Sequence, residues 1–197
     1  FDIKRRAILP VVNLARWSAS SVGSSALSTV TRLEDAAGSA ALPAVTDAEP
    51  AYIMFTSGTT GIPKGILGTH RGLAHFLSWQ RAAFAVGPGD RCGQVGGLSF
   101  AVMLRDTFLV LTGGATLCIP EEDLPLDGSR FLAWLNEEQI TLLHPVPSLA
   151  QAWLQHAPPT YACASLRWSF FAGEPLPATL VRRWRQHFPA MQVANRY

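Results

Sequence analysis

The chain has 197 residues, 48% of them hydrophobic and only 15% charged, with a formal net charge of +2. That balance excludes a disordered chain and provides enough apolar material for a core. The small net charge gives no field that would gather nucleic acid, and no apolar run reaches the ~18 residues of a membrane span.

The first residues, Phe1-Asp2-Ile3-Lys4-Arg5-Arg6, precede a short apolar stretch in the manner of a signal peptide. Pro10 and Asn13 interrupt that stretch and the chain starts on Phe, so the expectation is the interior of a longer protein. Residues 18–50 are rich in Ser, Ala and Gly and read as linker or loop, which makes 1–50 a partial preceding subdomain and linker. Tyr52 to Phe55 is a short buried-strand candidate. A Ser/Thr/Gly-rich loop follows, so that 51–65 is read as strand plus loop. Beyond it, Leu73, Phe76, Leu77 and Phe84 recur at near-helical spacing until Gly87-Pro88-Gly89 ends the segment.

From there strands and helices alternate. The strand candidates are Cys92 to Val95, Ala115 to Ile119, Ile140 to His144, Leu166 to Phe171 and Met191 to Asn195. The helical candidates are Val102 to Leu111, Ser129 to Glu138, Pro147 to His156 and Pro177 to His187. This alternation predicts an α/β fold over 66–197, with a mostly parallel sheet covered by helices on both faces. Such sheets bind ligands beyond the carboxyl ends of their strands. Cys92, Cys118 and Cys163 are odd in number and widely spaced, which argues against a disulfide framework or zinc site and fits a reducing compartment such as the cytoplasm. Arg182, Arg183 and Arg185 read as the solvated face of a helix.

The segment with most chemistry is Thr56-Ser57-Gly58-Thr59-Thr60-Gly61-Ile62-Pro63-Lys64-Gly65. Its glycines permit close backbone approach and positive φ. The hydroxyls of Thr56, Ser57, Thr59 and Thr60 add donors, and successive amides can form an anion-binding nest. Lys64 supplies a point charge suited to phosphate oxygens. The spacing is not that of a Walker loop, in which Gly-Lys is followed by Ser or Thr. An ordinary Ser/Thr/Gly turn with a solvated lysine is the alternative on composition alone.

The run from Ala51 to Gly65 resembles the signature loop of the adenylate-forming superfamily, which includes acyl- and aryl-CoA ligases, luciferases and nonribosomal peptide synthetase adenylation domains. Further segments follow in family order. Gly89-Asp90-Arg91 resembles the turn after the first helix, and Ser99-Phe100 with Arg105-Asp106-Thr107-Phe108 resembles the substrate-pocket helix. Gly113 to Leu117 resembles the turn and strand after it. Phe171-Ala172-Gly173-Glu174-Pro175-Leu176 is similar to the Gly-Gly-Glu segment, with Ala172 replacing the first Gly. Asn195-Arg196-Tyr197 is similar to the start of the Asn-x-Tyr-Gly-Pro-Thr-Glu segment. The resemblance covers about residues 45–197 and is nearest to peptide-synthetase adenylation domains.

It implies part of the large N-terminal domain of such an enzyme, truncated at its carboxyl end. Thr56, Ser57, Gly58, Thr59, Thr60, Gly61 and Lys64 would hold the ATP phosphates and then pyrophosphate. Gly173, Glu174, Asn195 and Tyr197 would form the adenine pocket. Phe100, Ala101, Val102, Arg105, His144, Phe170, Ala172 and Arg196 would surround the carboxylic acid substrate. Singly, Phe100 and Phe170 could as well be core residues, His144 a hydrogen-bonded structural residue, and Arg105 with Asp106 a local surface pair. ATP and Mg2+ are the implied cofactors, with no metal ligand and no catalytic residue assigned within the chain. The implied partners are a phosphopantetheine-bearing carrier protein domain and neighbouring synthetase domains. No nucleic-acid or membrane partner is expected.

Because the family's ribose-binding aspartate and carboxyl-terminal lysine domain lie past Tyr197, the piece alone is expected to show no appreciable adenylation. The alternatives are a stand-alone acyl- or aryl-CoA ligase and a non-catalytic nucleotide-binding remnant. In domains for α-amino acids an aspartate follows the pocket phenylalanine, whereas here Ala101 follows Phe100. A buried ammonium without a counter-charge is costly. The expected substrate is therefore an acid lacking a free α-amino group, such as a hydroxy, keto, aryl or other acyl acid, with or without a second acidic group.

Overall fold

The computed structural model describes residues 46–56, 64–97, 102–121 and 123–196. The first elements form a hairpin in which β1 (Pro50–Thr56) runs antiparallel to β2 (Lys64–Thr69), with Thr56 opposite Lys64 at its mouth. The sequence reading placed only β1 here. Two glycines in Lys64-Gly65-Ile66-Leu67-Gly68 hide the alternation that marks a strand. Gly68 is there because the Tyr52 ring of the opposite strand covers it; a Cβ at Gly68 would lie 2.1 Å from that ring. Ile53, Phe55, Ile66 and Leu67 leave the hairpin with exposed apolar side chains.

Helix α1 (His70–Phe84) starts on Thr69, whose hydroxyl accepts from the Gly72 N–H at 3.3 Å, and it stops where Ala85 turns to φ 49°. That hydroxyl satisfies one of the amides left unpaired at a helix start. The alternating elements then follow in sequence: β3 (Arg91–Gly93), α2 (Val102–Gly113), β4 (Thr116–Cys118), α3 (Gly128–Glu137), β5 (Leu142–Leu143), α4 (Pro147–Gln155), β6 (Trp168–Phe171), α5 (Ala178–His187) and β7 (Gln192–Asn195). The strands form one five-stranded sheet in the order β4-β3-β5-β6-β7, with every pairing parallel. Strands β4 to β7 each lie inside a segment expected from the apolar runs, and β3 overlaps Cys92 to Val95 but starts one residue earlier, at Arg91.

Neighbouring residues in a strand face opposite sides of a sheet, and the packing follows that rule. Cys92, Leu142 and Phe170 point to one face, against Leu77 of α1 and Leu109 and Val110 of α2. Leu143 and Phe171 point to the other, against Phe131, Leu132 and Leu135 of α3, Trp153 of α4, and Leu180 and Trp184 of α5. Helices thus cover both faces, as expected of buried parallel strands. The two large indoles keep their polar ends satisfied. Trp153 Nε1 donates to the Pro125 carbonyl at 2.8 Å, and Trp184 Nε1 donates to Ser169 Oγ at 3.0 Å. Arg182, Arg183 and Arg185 lie exposed on α5, as a solvated face. No described helix is long and apolar enough to cross a membrane.

At the amino ends of the strands one carboxylate gathers several elements. Asp90, 5% exposed, accepts from Arg167 Nε at 2.8 Å and Nη2 at 2.7 Å. It also accepts from Thr141 Oγ1 at 2.7 Å and from the Gly87 N–H at 3.0 Å. The same guanidinium donates to the carbonyls of Phe84 and Ala85 at the end of α1. Burial alone would raise the Asp90 carboxyl, but the hydrogen bonds from Arg167, Gly87 and Thr141 outweigh it and hold the group below its ordinary 3.8.

Asp90→Asn leaves the guanidinium without its counter-charge. We expect a loss of about 2–3 kcal/mol, below the range for a fully buried pair because water reaches a third of Arg167. A carboxyl whose pKa is lowered on folding stabilises above its unfolded pKa and loses that contribution as pH falls through the folded value. Urea unfolding of the wild type should therefore weaken below about pH 4 more steeply than that of the Asn variant.

Candidate functional site

The sheet order reverses between β3 and β5, where successive crossovers leave in opposite directions. At such a switch point the loops after the strands diverge and leave a crevice. Here Val95, Gly96 and Gly97 after β3, His144, Pro145 and Val146 after β5, and Ala172, Gly173 and Glu174 after β6 line a cavity of about 470 Å³. Val102 and Arg105 of α2 and Leu149 of α4 complete it. Gly173 adopts φ +84°, a region that L side chains resist, and so it turns the chain sharply at the mouth. Glu174 is held against the start of α4, where it accepts from the Ser148 N–H at 2.9 Å and the Ser148 hydroxyl at 2.8 Å.

Behind the cavity wall lies a buried polar cluster. His144 Nδ1 is 2.7 Å from Asp106 Oδ1, and both side chains are fully buried. Gln80 reaches His144 Nε2 at 3.3 Å, Cys92 Sγ lies 3.9 Å from Nδ1, and the Phe170 ring stacks on the imidazole at 4.7 Å. Among the described residues neither Asp106 oxygen forms a hydrogen bond, so the imidazole beside it is its compensating neighbour. Burial, and then the Asp106 charge, push the Cys92 thiol well up and keep it protonated.

Cys92, Asp106 and His144 bring three ligand-type atoms within 4.8 Å of one another. Two ligands on a tetrahedral ion with bonds of ~2.0–2.1 Å stand ~3.3 Å apart. At 2.7 Å the nitrogen and oxygen are spaced as a proton-sharing pair. The cluster therefore fits a buried polar network better than a chelate.

Of the residues expected around an acid substrate, Val102, Arg105, His144 and Ala172 converge on the cavity. Phe170 does not form its wall: it is fully buried and packs between His144 and Phe84. Arg196 follows β7 on the sheet face that carries Phe170, and its guanidinium carbon lies 4.9–5.4 Å from the rings of Phe76, Trp79, Phe84 and Phe170. Phe100 and Ala101 lie outside the described residues. Of the adenine set, Gly173 and Glu174 are at the cavity mouth and Asn195 closes β7, while Tyr197 lies outside the described residues. Of the phosphate set, Thr56 ends β1 and exposed Lys64 begins β2; Ser57, Gly58, Thr59, Thr60 and Gly61 lie outside the described residues.

Asp106 and Gln80 were missed as members of the site. The Arg105–Asp106 dipeptide read as a surface pair, but Asp106 is fully buried and turned onto His144. A signal was present: Asp106 precedes buried Leu109, Val110 and Gly113 by three, four and seven residues, so it occupies an apolar-face position of α2.

Exposed Lys64, with no ion pair among the described residues, suits an anionic phosphate tail, and the sharp turn at Gly173 suits a flat ring laid on backbone. No set of oxygen ligands for magnesium is assembled by the described residues, and the ion would come with the nucleotide's own phosphates.

A family model described as AMP-binding enzyme matches residues 9–197. The chain is 36% identical over 157 residues to tyrocidine synthase 3 of Brevibacillus parabrevis, a match covering 79% of this chain and 2% of that protein. It is 29% identical over 161 residues to an L-proline–L-prolyl-carrier protein ligase of Pseudomonas fluorescens, covering 80% of this chain and 32% of that one. Among solved structures, the Vibrio cholerae adenylation domain AlmE in complex with glycyl-adenosine-5'-phosphate superposes with a TM-score of 0.71 at 30% identity, over 86% of this chain and 30% of that chain. The AMPPNP-bound form of the nonribosomal peptide synthetase FmoA3 gives a TM-score of 0.69 at 30% identity, over 76% and 16%. The chain thus spans a third or less of each of these proteins.

The buried pair can be tested by stability. His144→Phe strands the Asp106 charge and should cost about 3–5 kcal/mol. Asp106→Leu strands only an imidazole N–H and should cost about 1–3 kcal/mol. Combining the two removes both unsatisfied groups, so the double variant should be more stable than His144→Phe alone. Additive losses in denaturant unfolding would show that the two residues do not act as a pair.

Proposed function

The chain belongs to the AMP-binding enzyme family, and on that premise we propose that the protein carrying it activates a carboxylic acid as its acyl-AMP at the expense of ATP. The observation that carries this reading is the cavity at the sheet's switch point, bounded by the family's glycine–glutamate turn at Gly173 and Glu174 and by Arg105 of the pocket helix. A carboxylate oxygen of the substrate attacks the α-phosphorus in line, the bond to the β-phosphate oxygen breaks, and pyrophosphate leaves. The chain's work in this step is positioning and charge neutralisation. Lys64 and the hydroxyl- and amide-rich segment before it hold the charge of the departing pyrophosphate, and the turn at Gly173 and the edge of Asn195 seat the adenine. Magnesium would neutralise the phosphate oxygens.

The acceptor that fits best is the phosphopantetheine thiol of a carrier protein, a reading supported by relatives named as peptide synthases and a carrier-protein ligase. Thiol attack on the acyl carbon then expels AMP. Both the carrier and neighbouring synthetase domains are partners on this reading, which places the reaction in the cytoplasm.

For the substrate, the charges at the cavity argue against a free α-ammonium. Asp106 is turned onto His144 with its side chain fully buried, and Glu174 is engaged by Ser148. Arg105, on the wall, repels a cation. An acid with a hydroxy, keto, aryl or other acyl group at that carbon meets no such penalty.

Pyrophosphate exchange in the protein carrying this chain tests both points. Lys64→Ala and Thr60→Ala should weaken exchange roughly ten- to a hundredfold through ATP and pyrophosphate handling, the worth of one charged phosphate contact of ~1.5–3 kcal/mol. Unchanged kinetics over a range of ATP concentrations would make the segment structural only. In a substrate panel, deaminated acids should exceed their α-amino counterparts, and Ala101→Asp should gain amino-acid activation. Preference for an ordinary α-amino acid would refute the substrate assignment while leaving the reaction class intact.

A further inference from the structure

Two guanidiniums near the cavity, Arg105 and Arg196, are in no ion pair among the described residues. Arg105 lines the cavity and also a second hollow of about 220 Å³ between β1, α1 and α2, which it shares with Phe76. Arg196 reaches the same neighbourhood from the end of β7, with its guanidinium 5.4 Å from the Phe76 ring. The carboxylate next to Arg105 in sequence, Asp106, is turned onto His144. Among the described residues neither arginine takes part in an ion pair.

Arg196 is half-satisfied in a specific way. The four rings around it offer electron density to the cation, but a π-face is a poor substitute for hydrogen-bond acceptors. Its Nε and Nη2 are buried and have no acceptor among the described residues. Those two nitrogens form the side-on fork of the guanidinium, the edge that grips a carboxylate with two parallel bonds. The chain contains an engaged example of that fork, since Arg167 uses Nε and Nη2 to hold both oxygens of Asp90. A buried guanidinium whose fork lacks an acceptor loses its hydration without full return. The like charge of Arg105 adds to that cost, and burial with Arg105's charge pushes Arg196 down to about 10.

We propose that Arg105 and Arg196 form a subsite for a second oxyanion on the substrate, a carboxylate remote from the one that is activated, so that the acid is a dicarboxylic acid. The Arg196 fork takes the two oxygens edge-on, and Arg105 neutralises the charge from the α2 side. One anion between two cations removes their mutual repulsion and supplies the missing acceptors. This rests on the cavity being the acid pocket, and it deepens the assignment above by naming the group at the far end of the acid.

The test needs no ATP. Binding of glutarate, pentanoate and 5-aminopentanoate to the purified protein is measured by calorimetry and by intrinsic tryptophan fluorescence, to which Trp79 contributes with its ring 4.9 Å from Arg196. The three probes share a five-carbon chain and differ in the distal group. Glutarate should bind roughly ten- to a hundredfold more tightly than pentanoate, the difference one charge-assisted contact makes, and 5-aminopentanoate should bind worst. Arg105→Gln and Arg196→Gln should each remove most of the glutarate advantage over pentanoate, and Arg196→Lys should restore only part of it, since a point charge lacks the fork. Should Arg196→Gln unfold, Arg105→Gln carries the test, because it removes a charge that faces another and should not lower the melting temperature. Equal binding of glutarate and pentanoate, preference for the amine, or glutarate binding indifferent to both arginines would overturn the proposal. Glutarate binding without any pyrophosphate exchange would instead count against the adenylation reading and leave the subsite standing.

Discussion

The ion pair between Asp90 and Arg167 is the constraint on which the arrangement of this α/β unit depends. Strands β3, β5 and β6 are only two to four residues long, so the ladders between them supply few hydrogen bonds to fix their relative positions. Asp90 lies just before β3, Thr141 just before β5 and Arg167 just before β6, and all three meet on one carboxylate. Carbonyls at the end of α1 join them through the same guanidinium. Short strands anchored at their amino ends can diverge at their carboxyl ends without losing register. The cavity lies at those carboxyl ends, on the opposite side of the sheet from the ion pair, so the polar interaction that orders the strands does not compete with a ligand for the same groups.

Much of this was legible in the residues. Each strand of the parallel sheet falls in a short apolar run, because a strand covered on both faces need not alternate, and each helix shows its apolar stripe beside turn residues. The second strand of the hairpin was not legible. Gly68 is required by a cross-strand contact with Tyr52, which is information held by the partner strand. Site residues were recognisable by resemblance more than by pattern, and the positions least well read were those whose role depends on a neighbour distant in sequence. The resemblance placed Phe170 on the pocket wall, and the His144 stack with Phe84 behind it puts the ring in the core. Asp106 looked like half of a surface pair, and only the approach of β5 to α2 shows that its partner is His144.

The same comparison separates two uses of arginine in one small domain. Arg167 meets a carboxylate, two carbonyls and partial solvent, and it is satisfied. Arg196 is surrounded by rings and, among the described residues, lacks acceptors on its fork. Both are cations held against apolar material. The first organises the fold, and the second is costly to the fold in isolation. A group that is expensive in the free protein and cheap once an anion arrives is a means of coupling local rigidity to occupancy.

The hairpin of β1 and β2 bears on how the molecule behaves in solution. Ile53, Phe55, Ile66 and Leu67 are each more than half exposed on two strands that, among the described residues, pair only with each other. Among those residues their outer edges keep amides and carbonyls free of strand partners, the template on which a second chain can add a strand. Preparations in which nothing covers that ribbon should be limited by self-association well before the sheet and its helices begin to melt. Added charge along the two edges would then raise the usable concentration without altering the melting temperature.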